Sequence, residues 1–202
     1  MTYKEVVDYS ESFIKPSKKE VEHDISLAIE RLENWKKQTG QEKPIAVFVA
    51  TSGGGSRASM WSFLAMQHLN DRTNGALMRH MNLGTGSSGG MIGLAYFREL
   101  YIQNISTEDK VMDMGKDILN PVIFNLAVND LLIRSHKFEQ NGELHWKDRG
   151  YIFEKQLHQN TDSVLVKKLG DYRNLELSAG APSLILTPSI LNDSRRLVVS
   201  NF

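Results

Sequence analysis

Two glycine-rich turns hold the residues best suited to chemistry. The segment Gly86-Ser87-Ser88-Gly89-Gly90 satisfies G-x-S-x-G with Ser88 at its centre. A nucleophile on a sharp strand-to-helix turn needs glycine at its flanks, because the backbone is strained and Cβ atoms there would strike neighbouring elements. A helix opening at Ser88 would also direct its first amides, and the positive end of its dipole, toward an anion forming nearby. Gly86, Gly89 and Gly90 are then the glycines of the elbow. Placing the nucleophile at Ser87 would put Thr85 where the first glycine belongs, so Ser88 is preferred. Taken alone, the same pattern also describes an ordinary turn.

The second turn is Thr51-Ser-Gly-Gly-Gly-Ser-Arg57. Gly53, Gly54 and Gly55 can expose consecutive backbone N–H groups, the donor array that holds the oxyanion of a tetrahedral acyl intermediate. Arg57 adds a fixed positive charge at its edge. The alternatives are a tight turn with Arg57 in a surface ion pair, or a loop for a nucleotide phosphate. Against the nucleotide, no Lys-Ser/Thr follows the glycines, and the G-x-G-x-x-G order is not met.

Both turns lie between segments that must position them. Ser17-Lys-Lys-Glu20 is a capping box that starts a helix; its stripe Val21, Ile25, Ala28, Leu32, Trp35 is expected to pack on the domain, and Gly40 stops it. The run Ile45–Ala50 reads as a strand covered on both faces and opens into the first glycine turn. A helix from Ala58 to about Asn70 puts Trp61, Leu64, Ala65 and Leu69 on one side. Leu77 to Leu83 reads as a second strand, leading through the Ser88 turn into a helix at Met91–Ile102. A strand running twice through glycine into a helix predicts an α/β fold with a mostly parallel sheet and sites at the strand ends.

Downstream, Ser106–Asp109 is a helix start, and the apolar stretch Pro121–Arg134 suits a buried helix or the wall of a substrate pocket. Residues 135 to 150 read as loop, Tyr151–His158 as a short helix, and Leu184–Thr187 with Leu197–Val199 as strands around an Asn192-Asp193-Ser194 turn. Residues 1–16 form a leader or peripheral segment, and 17–202 one α/β domain whose sheet is expected to be incomplete at its C-terminal end.

Charge is balanced, 24 Lys+Arg against 24 Asp+Glu, so nothing draws the chain to nucleic acid over long range. Without cysteine, a disulfide framework, a thiolate metal site and a cysteine nucleophile are excluded. His145 and His158 lack close metal-ligand spacing, and neither a metal nor an organic cofactor is expected. Lys167-Lys168 and Arg195-Arg196 are too few for a nucleic-acid stripe but could touch lipid phosphates. With no secretory signal and no apolar run of bilayer length, a cytoplasmic or membrane-peripheral protein is expected.

Ser52-Gly-Gly-Gly-Ser-Arg-Ala58 after one strand, with Gly84-Thr-Gly-Ser-Ser-Gly-Gly90 after the next, resembles the patatin-like and cytosolic phospholipase A superfamily of serine acyl hydrolases. The resemblance spans residues 44 to 100 and, more loosely, 183 to 200. It implies a three-layer α/β fold, Ser88 as nucleophile, Gly53, Gly54, Gly55 and Arg57 as oxyanion loop, and a phospholipid or other acyl-ester lipid as substrate, met by peripheral membrane contact. It also implies a Ser-Asp dyad, with the aspartate in an Asp-Gly-Gly or Asp-Ala-Gly turn. No aspartate here begins such a turn, so the dyad aspartate is expected beyond this chain. Asp193 has a sufficient reason to occur as a turn residue. The alternatives are a non-catalytic module binding lipid or protein, and a triad esterase using His136, His145 or His158 with Asp109, Asp113, Asp117 or Asp130.

Overall fold

A computed structural model describes residues 16–128, 137–140, 142–190 and 195–202. The leader segment up to residue 15, Asp130, Leu131 to His136 and the Asn192–Ser194 turn with Asp193 lie outside the described residues.

The chain is mixed α/β, with a three-stranded parallel sheet flanked by helices. Its order is β1 (Val47–Thr51), β2 (Met81–Gly86), β5 (Ser183–Leu186), with β2 central. The register pairs Ala50 with Thr85 and Thr85 with Ile185. Leu197–Val199 forms no strand; Leu186 makes an antiparallel bridge to Val199 and Ser189 one to Arg196.

Helix α1 (Lys18–Thr39) carries the expected capping box, with Ser17 Oγ accepting from Glu20 N at 3.3 Å, and ends at the left-handed Gly40. Its stripe is not covered as expected. Only Trp35 is buried, whereas Val21, Ile25 and Leu32 stand in solvent. The reason is that α1 meets the domain near its C-terminal half. There Arg31 donates to the Asn82 carbonyl and side chain and to Ser183 Oγ at 2.7–3.0 Å, and Asn34 donates to the Leu177 carbonyl.

Helices α2 (Gly55–Arg72) and α4 (Ser88–Ile102) pack side by side, and α4 lies on β1 and β2. The core between them is Phe63, Met66, Met91, Leu94, Tyr96, Phe97 and Leu100. Phe63 meets Tyr96 at 5.6 Å and Phe97 edge-on at 5.7 Å, a geometry that adds about 0.5–1.5 kcal/mol per pair to the burial itself. Strand β1 is not covered on both faces. Val49 packs toward this core, and its neighbour Phe48 is 64% exposed because α4, the helix packed on β1, lies on the Val49 face.

Other expectations also need correction. Leu77–Leu83 is not one strand: Ala76–His80 forms a short helix, α3, and the strand begins at Met81. Helix α5 (Leu119–Asn125) is not buried; Ile123 and Phe124 face solvent, and Asn125 is its buried residue. Residues 137–140 and 143–146 are antiparallel strands rather than loop, β3 (Lys137–Gln140) against β4 (Glu143–Trp146). Helix α6 (Arg149–Asn160) follows, then a 3-10 helix Leu169–Tyr172 and α7 (Arg173–Leu177).

A buried polar cluster ties α4 to this last region. Arg98 pairs with Glu176 at 2.7 Å, donates to the Pro182 carbonyl at 2.7 Å, and stacks over Tyr172. Tyr172 donates to Glu99, which also pairs with Lys167 at 3.0 Å. Such a pair contributes little net stability when replaced by apolar packing, but losing one partner strands a buried charge at a cost of roughly 3–5 kcal/mol. The cluster therefore fixes where α4 sits, and with it Ser88 at its first turn.

Candidate active site

The sheet is parallel and both glycine turns leave the carboxyl ends of adjacent strands, so they meet. β1 ends at Thr51 and β2 at Gly86, which are register partners. From there α2 opens at Gly55 and α4 at Ser88.

The two helices start in backbone contact. A Cβ on Gly89 would stand 2.0 Å from the Gly55 carbonyl oxygen, and one on Gly90 2.1 Å from that of Ser52. One turn on, Ser59 Oγ donates to the Gly89 carbonyl and Ser62 Oγ to the Gly90 carbonyl, both at 2.8 Å. Small serines on α2 and glycines on α4 are thus what allow this approach. The helix expected from Ala58 does form, but its buried face is Ser59, Ser62, Phe63 and Met66. Trp61, Leu64 and Leu69 point outward.

Ser88 is exposed and has φ 52°, a left-handed conformation uncommon outside glycine. It costs a residue with a Cβ roughly 1–2 kcal/mol. Gly53 lies against it: a Cβ there would be 3.2 Å from Ser88 Cβ and 3.7 Å from Ser88 Oγ. Gly54 and Gly55 have φ 143° and 63°, which let the loop turn back into α2. The structure therefore brings together Gly53, Gly54, Gly55, Ser88, Gly89 and Gly90, with Gly86 beneath them against Thr51.

Neither helix carries a side-chain cap: Gly54 precedes α2 and Ser87 precedes α4, and neither side chain accepts an N-terminal amide. Two positive dipole ends with unsatisfied donors converge beside one hydroxyl, an arrangement favourable to negative charge. Arg57, in the first turn of α2, is exposed and makes no ion pair with any described residue, so the surface-ion-pair alternative fails within them.

No described carboxylate or imidazole hydrogen-bonds to Ser88. The triad candidates are engaged elsewhere. Asp113 accepts from Tyr96 at 2.6 Å and pairs with Lys116 at 2.6 Å. Asp117 caps the start of α5 through Leu119 N and Asn120 N. His145 stacks on Phe138, and His158 lies 4.0 Å from Glu154. Burial would raise Asp113, but the hydrogen bonds from Lys116 and Tyr96 outweigh it and hold the carboxyl below its usual range. Burial, with the Asp113 carboxylate beside it, pushes the Tyr96 phenol far up.

Strands β3 and β4 and helix α6 frame a cleft of about 390 Å³ lined by Phe138, Leu144, His145, Trp146, Asp148, Tyr151 and Glu154, none of which belongs to the glycine turns. No group of three or more His, Asp or Glu able to hold a metal ion occurs among the described residues. No described helix is long and apolar enough to cross a membrane.

No family model, curated protein or solved structure matches the chain.

Proposed function

We propose that the chain is a serine acyl hydrolase acting on lipid esters, with Ser88 as nucleophile. The observation that carries this reading is Ser88 itself: a non-glycine residue at φ 52°, on a strand-to-helix junction, exposed, with the Gly53 backbone against its side chain. Strain of this kind persists only where the surroundings hold it in place, and a nucleophile elbow is one reason to hold it.

In the proposed reaction Ser88 Oγ forms a bond to the ester carbonyl carbon. The carbonyl oxygen becomes an oxyanion beside the Gly53–Gly55 amides and Arg57. Collapse expels the alcohol, which takes up the proton that Ser88 gave to a base, and water then cleaves the acyl-serine. The resemblance of the two glycine turns to patatin-like hydrolases supports a carboxylate as that base and a three-layer fold around the site.

A second reading, a non-catalytic patatin-like module, is favoured by the absence of any described base on the Ser88 hydroxyl. A fluorophosphonate probe separates the two. The hydrolase reading expects covalent labelling at Ser88, mapped by peptide mass, with none in Ser88→Ala. Turnover of a short-chain ester should fall in Arg57→Ala through kcat more than KM. An unlabelled wild type without esterase activity gives the binding module first place.

A further inference from the structure

Helix α2 has apolar groups on both faces, more than packing on the core requires. Its inward face is half serine, Ser59 and Ser62 beside Phe63 and Met66. Its outward face carries apolar groups as well. Trp61 is 74% exposed, Leu69 50% and Leu64 41%.

At 3.6 residues per turn, Arg57, Trp61, Leu64, His68 and Arg72 form one line along the outside of the helix, with Leu69 at its flank. Between Gly55 and Asn70 there is no carboxylate, so the line is cationic and aromatic until Asp71 near its end. The contrast with α1 is informative. The exposed stripe of α1 is flanked by Glu22, Asp24 and Glu33 as well as by Lys18 and Lys36, so its charge is mixed. Exposed tryptophan with arginine, and acid only at the far end, suits a helix that lies in a membrane interface, its ring at head-group depth and its cations on the phosphates.

We infer that the outer face of α2 docks on an anionic lipid surface. Arg57 is where this face meets the glycine turns, so a docked α2 presents the Ser88 mouth at the edge of the bilayer. The inference gives the acyl-hydrolase reading its substrate-bearing partner and rests on that reading for its purpose. Its geometry comes from α2 alone.

The test is flotation of the full chain with vesicles of phosphatidylcholine and phosphatidylglycerol in equal parts, against vesicles of phosphatidylcholine alone. Wild type and Ser88→Ala should float with the mixed vesicles and be released by salt. Trp61→Ala combined with Leu64→Ala should bind at least about ten-fold more weakly, from the apolar area withdrawn. Trp61→Phe should restore most of it. Arg72→Glu, far along α2 from the site, should weaken binding to the mixed vesicles only. It decides the matter if the double variant does not fold.

In a Trp146→Phe background, tryptophan emission should shift to the blue on vesicle addition. Wild type that does not float, or a double variant that floats equally well, overturns the inference. So does a wild-type dimer in sedimentation that the double variant abolishes, since the face would then be a contact between copies. Floating protein that neither hydrolyses ester nor takes the fluorophosphonate fails the hydrolase reading alone. Soluble-ester turnover without flotation fails the lipid surface alone.

Discussion

Gly89 stands against the backbone of Gly55, so close that a Cβ on Gly89 would lie 2.0 Å from the Gly55 carbonyl oxygen and 2.7 Å from its carbon. The first turn of α4 and the first residue of α2 are thus one contact, and it is backbone on backbone. No rotamer change can relieve an added methyl there. Gly89→Ala is expected to cost at least the roughly 1–3 kcal/mol typical of overpacking. That is a drop in melting temperature of roughly 2–12 °C for a chain of this size. Gly170, around which a Cβ would meet nothing within 4 Å, is the control. Gly170→Ala should melt within a few degrees of wild type. Equal melting of the two variants would show that the helices do not start in contact.

Ser88 holds a conformation that glycine adopts freely, which sets function against stability at one position. Left-handed backbone costs a residue with a Cβ roughly 1–2 kcal/mol. The extra freedom of glycine in the unfolded chain takes back roughly 0.4–1 kcal/mol of any gain. Ser88→Gly should therefore melt up to about 3–6 °C above wild type. Ser88→Ala, which keeps the Cβ, should show no such gain, and both should lose fluorophosphonate labelling. Identical melting of the glycine and alanine variants would remove the strain from the argument.

The parts of the fold legible in the sequence are those where a close approach dictates residue type. Gly86 abuts Thr51, Gly90 the Ser52 carbonyl and Gly93 that of Ser59, so strand, glycine turn and helix could be read twice. The same contacts hid the orientation of α2. Ser59 and Ser62 face α4 because nothing larger fits, whereas pattern reading looks to Trp61 and Leu64 for the sheltered side. The run Leu77–Leu83 mixes Leu77, Met78, Met81 and Leu83 with Arg79, His80 and Asn82, and a run this short does not distinguish the helix Ala76–His80 from the strand that follows it. Strands β3 and β4 had a signal in Asn141-Gly142, with Gly142 at φ 82°, but their many charged residues made the segment read as loop. Helix α7 and the 3-10 helix before it are too short to carry a period. At the site, the spacing put both glycine turns at the ends of successive strands, which is where they meet. The cluster of Arg98, Glu99, Tyr172 and Glu176 that holds α4 could not, because its members are brought together only by the tertiary fold.

Two carboxyls near α4 should give the chain's stability opposite responses to pH. Asp113 is held below the ordinary aspartate value: burial opposes this, but hydrogen bonds from Lys116 and Tyr96 and the charges of Lys116 and Lys110 outweigh it. Its contribution is complete above the unfolded value, where the carboxylate is ionised in both states, and is lost as pH falls through the depressed folded value. Glu176 is pushed up, first by burial, against the opposing pull of Asn201, Arg98, the Leu184 amide and Arg31. Where its folded value is raised, the unfolded chain releases the proton first, so its contribution is present below the ordinary glutamate value and fades as pH rises through the folded one. Urea unfolding across a pH series should therefore show the gap between wild type and Asp113→Asn closing in acid. The gap between wild type and Glu176→Gln should shift toward greater relative stability of the glutamine variant as pH rises. Parallel pH profiles for wild type and Asp113→Asn would mean that Lys116 and Tyr96 do not hold the Asp113 carboxylate.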